Sequence, residues 1–180
     1  MATLVLFLVG VVSMITLDPA ITAYSHQEPS IIWRFTNLFT HIVSHANWEH
    51  LIGNFLFGGP YLLYLEQQVK SAKIFTRAFF GFGFAALVCY LIFDQFSQYH
   101  SVGIIGSSGA IFGVIGAALM CPKKNKTTNI LAKLLLLFFI FSQASEAITS
   151  ITQPTPVAYA AHLGGLIAGV LFSYHRHRRL

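Results

Sequence analysis

The stretch Ser101-Val102-Gly103-Ile104-Ile105-Gly106-Ser107-Ser108-Gly109-Ala110-Ile111-Phe112-Gly113-Val114-Ile115-Gly116-Ala117-Ala118-Leu119-Met120 decides the fold. Its apolar part, from Ser108 to Met120, is about 13 residues long, or roughly 20 Å of helix. A bilayer's hydrocarbon core is about 30 Å thick. A helix that ends at the basic loop Lys123-Lys124-Asn125-Lys126 therefore starts inside the membrane. The irregular backbone before it, from Ser101 to Ser107, then lies at membrane depth. Such backbone is tolerated only where it is buried in protein or lines a wet cavity. The pattern predicts a hydroxyl, that of Ser108, at the floor of a water-filled pocket within the bilayer.

The rest of the chain reads as membrane protein too. Of its 180 residues 55% are hydrophobic and only 9% are charged, with a mean hydropathy of +0.66. A soluble domain carries about 25% charged residues. The length allows one domain, residues 1–180. The net charge of +5 is distributed over alternate loops: Lys70, Lys73 and Arg77; Lys123, Lys124, Lys126 and Lys133; Arg176, Arg178 and Arg179. That is the positive-inside pattern, not the single basic face of a nucleic-acid site, so no nucleic-acid partner is expected. Cys89 and Cys121 form no CxxC pair and indicate neither a disulfide nor a redox centre.

Apolar runs give six expected spans, at about 2–17, 49–65, 74–93, 108–121, 130–148 and 157–174. The expected fold is an all-α polytopic membrane protein: six transmembrane helices in a compact bundle, the fourth short and starting inside the membrane. With the basic clusters cytoplasmic, both termini lie inside, and the loops 18–48, 94–107 and 149–156 face outside. The first span lacks the basic n-region of a signal peptide and reads as a retained helix.

Polar groups within spans are costly and mark function. His50 and Asn54 are one turn apart on the second span, with Gly58 a further turn along. The sixth span carries His162, Gly165 and Gly169, and the fourth Ser108, Gly109, Gly113 and Gly116. Small residues at i, i+4 let helix backbones approach closely in lipid. Gly109 and Gly113 facing Gly165 and Gly169 would bring His162 within reach of Ser108. A serine hydroxyl needs an adjacent base to become a nucleophile, and histidine suits neutral pH. Attack on a carbonyl also needs donors for the developing oxyanion. His50, Asn54 and the Ser108 N–H are the candidates. The pattern puts no carboxylate near the pair, since Glu66 and Glu146 lie elsewhere. A Ser–His dyad without an acidic third member is expected.

These residues resemble a known family. The run His45-Ala46-Asn47-Trp48-Glu49-His50-Leu51-Ile52-Gly53-Asn54, the motif Gly106-Ser107-Ser108-Gly109, and Ala161-His162-Leu163-Gly164-Gly165-Leu166-Ile167-Ala168-Gly169 are similar to those of rhomboid intramembrane serine proteases. They occur in the family's order, on the second, fourth and sixth spans. The resemblance implies cleavage of transmembrane protein substrates, with Ser108 as nucleophile and His162 as base. It implies His50 and Asn54 in the oxyanion hole, and Phe112 in the place of an aromatic that packs on the histidine. No metal and no other cofactor is implied, and the expected surroundings are membrane lipid. Trp33-Arg34 looks like the family's Trp-Arg pair but lies farther from His45 than the pattern expects. The small size points to a bacterial plasma membrane, with the site open to the outer face.

The same residues admit rival readings. Ser107 is the neighbouring hydroxyl, but it points about 100° away around a helix. His41 and His45 are one turn apart and invite zinc, yet His41-Ile42-Val43-Ser44-His45 lacks the glutamate of HExxH. A catalytically silent client-binding relative would typically lack the serine or the histidine. A small channel or transporter lined by histidines would tolerate Ser108→Ala, whereas a protease would not. The sequence indicates neither oligomeric state nor substrate identity.

Overall fold

The computed structural model describes residues 1–18, 23, 31–98, 103–123, 125–155 and 157–177, and for 31 and 33–35 the backbone alone. Among these, every regular element is an α-helix: α1 (Ala2–Thr16), α2 (Ile31–Val43), α3 (Trp48–Val69), α4 (Ala72–Asp94), α5 (Ser108–Met120), α6 (Lys126–Thr149) and α7 (Tyr159–His177). Six of them fall on the expected spans. The seventh, α2, lies in what reads from sequence as the loop 18–48. It is strongly amphipathic, and its buried Asn37 and His41 break the apolar run that marks a span.

Helix starts follow ordinary capping chemistry. The Asn47 side chain accepts from the His50 N–H (2.8 Å), Ser71 from Ile74 and Asn125 from Thr127. The Glu66 carboxylate closes the exposed N–H groups of α1, accepting from Ala2 (2.6 Å), from Thr3 N–H (3.0 Å) and from the Thr3 hydroxyl (2.7 Å). Arg176 donates to the Val69 carbonyl at the end of α3, and Lys123 sits over the Tyr64 ring. These contacts gather the described basic loops at one end of the bundle.

α4 and α6 are long and apolar enough to cross a membrane, by length and composition. α1 and α5 are equally apolar but shorter, while α3 and α7 carry the histidines, asparagine and glycines that dilute their hydropathy. Side chains such as Leu8, Leu56, Ile92, Leu137, Phe141 and Leu171 point outward, an apolar surface larger than soluble proteins expose.

α5 is the axis of the structure, with every residue from Gly109 to Leu119 buried. It packs chiefly against α7 through backbone. A Cβ on Gly165 would overlap the Gly109 carbonyl, and one on Gly169 would overlap the Gly113 carbonyl. In the other direction a Cβ on Gly116 would strike the Leu166 carbonyl. This contact fixes Ser108, at the first residue of α5, opposite His162 in the first turn of α7. The thiols of Cys89 and Cys121 are free.

Candidate active site

The segment leading into α5 is irregular and largely buried, so its backbone groups need partners. Gly106 N–H donates to the His41 carbonyl at the end of α2 (2.8 Å), and Ser107 N–H is directed at His45 Nε2 (3.4 Å). Gly106 has φ 114°, in a region that side-chain-bearing residues rarely adopt, and its Cα lies against the His50 ring. This turn brings Ser108 up to the pocket as the helix begins.

Ser108 Oγ–H donates to His162 Nε2 at 2.9 Å. The other ring nitrogen, Nδ1, lies 2.9 Å from Oε1 of Gln143 on α6. Phe112, one turn along α5, stacks on the imidazole with centroids 4.3 Å apart and planes 12° apart. Phe112 also meets Phe139 (6.0 Å) and Phe57 (6.2 Å), so one aromatic group joins α3, α5 and α6 beneath the histidine. Tyr159 approaches the ring edge-on at 6.1 Å.

Ser108 and His162 open into a cavity of about 440 Å³. His50 and Asn54 share its wall, with Asp94 at the end of α4 and with Thr155 and Val157 from the loop before α7. The loop after α6 is tied to the end of α4, where Gln98 N–H donates to the Ile151 carbonyl (2.9 Å) and Ser97 Oγ to the Ser150 carbonyl (3.3 Å).

Ser107 has a histidine of its own. His45 Nδ1 donates to the Val43 carbonyl (3.1 Å), leaving Nε2 to accept from Ser107 Oγ (3.0 Å). Ser107 Oγ in turn accepts from Asn54 Nδ2 (3.4 Å). Ser107 is 2% exposed and does not line the cavity. Its hydroxyl therefore serves to hold Asn54, while that of Ser108 faces open space. Burial pushes the His45 imidazole down to about 4, with the adjacent His50 adding to the effect and the Val43 contact opposing it. Burial likewise holds His41 at about 4, against the opposing contact of Nδ1 with the Asn37 carbonyl at 2.7 Å.

The structure thus brings together Ser108, His162, His50, Asn54, Gly106, Gly109, Phe112, Gly113, Gly165 and Gly169. The side chains of Trp33 and Arg34 lie outside the described residues, as does Pro156. Among the described residues no cluster of histidine, cysteine or carboxylate is arranged to hold a metal. The sequence does not single out Gln143, and it presents His45 and Ser107 as a zinc candidate and a neighbouring hydroxyl, not as the hydrogen-bonded pair they form. Gln143 carried a signal, because a polar residue within an apolar span marks a functional candidate.

Residues 32–179 match the family model of the rhomboid domain. The chain is 33% identical over 163 residues to RHOMBOID-like protein 1 of Arabidopsis thaliana, an alignment covering 88% of this chain and 37% of that one. It is 25% identical over 137 residues to Rhomboid-like protein 11, chloroplastic, of the same plant, covering 71% of this chain and 47% of that one. The chain thus spans less than half the length of these curated relatives. Both are plant proteins and lend no support to the bacterial membrane expected from the sequence. A histidine-bearing α3, the Gly106-to-Gly109 turn and the glycine-packed α7 agree with the family match over most of the chain, and the protein belongs to the rhomboid family.

Proposed function

We propose that this protein is an intramembrane serine endopeptidase that cleaves transmembrane or membrane-anchored proteins. The observation that carries the reading is the 2.9 Å contact of Ser108 Oγ with His162 Nε2 on the wall of an open pocket shared with His50 and Asn54. α1, α3, α4, α6 and α7 cross the membrane, α5 starts within it and runs to the cytoplasmic side, both termini are cytoplasmic, and the pocket opens to the outer face. As Ser108 Oγ bonds to the scissile carbonyl carbon, its proton passes to His162 Nε2. His50, Asn54 and the Ser108 N–H receive the oxyanion. The imidazolium returns the proton to the leaving amine, and water then hydrolyses the acyl-enzyme by the same base. Residues 1–180 act as one domain, and no metal or organic cofactor enters any step.

In the loop 149–156 and just beyond it, the described residues Ser150, Thr155 and Val157 cover the pocket, and α6 moves outward to admit a substrate helix. Support comes from Thr155 and Val157 on the cavity wall and from the outward-facing apolar surface of α6.

The test is covalent labelling of the detergent-solubilised protein with a fluorophosphonate probe, together with cleavage of a transmembrane reporter. The adduct is expected on Ser108, and both label and cleavage are lost in Ser108→Ala and His162→Ala. Cleavage that survives Ser108→Ala would reject the proposal.

A further inference from the structure

A histidine that acts as base must keep its lone pair on the nitrogen facing the serine. For His162 this means that Nδ1 carries the proton and Nε2 does not. Stacking on Phe112 fixes the plane of the ring but not its identity. A half-turn about the Cβ–Cγ bond returns the same stacked plane with carbon where nitrogen had been. Stacking is equally indifferent to which nitrogen is protonated. Something must break both degeneracies, and in soluble triads a carboxylate does so.

Here the group opposite Nδ1 is the Gln143 carboxamide. It is 8% exposed, and Oε1 lies 2.9 Å from the ring nitrogen. Its NH₂ faces the Ser142 hydroxyl at 3.5 Å, which leaves the carbonyl oxygen toward the imidazole. A carbonyl oxygen accepts and never donates, so it stabilises the tautomer with the proton on Nδ1. As Ser108 attacks, His162 gains a positive charge and the Nδ1–H bond to Gln143 strengthens. The amide keeps its own protons throughout. The single transferred proton moves from Ser108 Oγ to Nε2 and then to the leaving amine.

We propose that Gln143 is the positioning residue of the site, a neutral third member that sets the tautomer and orientation of His162. This inference rests on the Ser108–His162 reading and adds a residue on α6 to it.

The experiment compares wild type, Gln143→Leu and Gln143→Glu in the transmembrane-reporter assay, with ¹⁵N-histidine NMR of each protein. The His162 signals are assigned by their loss in His162→Ala. Wild type should show His162 with the proton on Nδ1. Gln143→Leu, similar in size but without an acceptor, should lower kcat about tenfold or more with KM within about twofold. Its ring signal should become a mixture of tautomers. Gln143→Glu restores an acceptor oxygen and should recover most of kcat. Wild-type kcat in Gln143→Leu, a wild-type ring protonated on Nε2, or a Gln143→Glu variant as slow as Gln143→Leu would each overturn the proposal. Cleavage surviving Ser108→Ala would instead defeat the Ser–His reading itself. The NMR outcome is readable in that case too, so the two failures are distinguishable.

Discussion

Ser107 and Ser108 are adjacent hydroxyls, each within 3.0 Å of an imidazole, yet their surroundings differ. Ser108 and His162 line a cavity, whereas Ser107 sits in a closed chain from the Val43 carbonyl through His45 to Asn54. Under the proposed mechanism Ser107→Ala keeps the fluorophosphonate adduct on Ser108, because the nucleophile and base are untouched. It loosens Asn54, and kcat/KM for the reporter should fall by about tenfold, the scale of one lost hydrogen bond. An adduct that vanished in Ser107→Ala would exchange the roles of the two serines. The motif residues were legible because glycine, serine, histidine and asparagine at membrane depth have few ordinary uses. The partnership of His45 with Ser107 was not, since it spans 62 residues and depends on where α2 ends.

At the level of elements, hydropathy located six helices to within a few residues. It passed over α2, whose apolar residues are interrupted by Asn37, Thr40 and His41. The glycine stripes of α5 and α7 were also readable, and their contact makes a sharp prediction. In Gly169→Ala the new methyl meets the Gly113 carbonyl with no flexible side chain to yield. Overpacking of this kind should cost roughly 3 kcal/mol, measured by denaturant titration in detergent. A variant of unchanged stability would show that α7 can shift away from α5. The α2 region gives a pH prediction. Unfolded, His41 and His45 take up protons near 6.5, but in the fold both are held near 4. Between these values the unfolded chain binds more protons than the native one. The stability they contribute is complete above pH 6.5 and declines as pH falls toward 4, by roughly 1 kcal/mol per pH unit for each histidine. His41→Asn should flatten the acid side of the stability profile.

For the whole molecule, the proposed route of entry lies between α3 and α6, where Phe57 and Phe139 meet with ring centroids 6.1 Å apart. Cysteines placed at these two positions and joined by a short bifunctional cross-linker should suppress cleavage of a transmembrane reporter. Labelling of Ser108 by a small water-borne probe should survive, because the cavity has its own opening. Reporter turnover unaffected by the cross-link would rule out this entry. The connection of Gln143 to the site belongs to this scale as well, and spacing could not foretell it: it depends on how α6 returns to pack on α7. That return also separates the machinery into two mechanical parts. α5 and α7 touch backbone to backbone, with no side chain between Gly109 and Gly165 to change rotamer, so Ser108 and His162 ride on one stator. Gln143 rides on a different piece, the peripheral α6, which under the proposal works as a latch. When the latch leans out, the serine and histidine keep their spacing and the imidazole alone is released to spin or to exchange its proton between nitrogens. Such an engine idles with its parts in place, and closing the latch engages it.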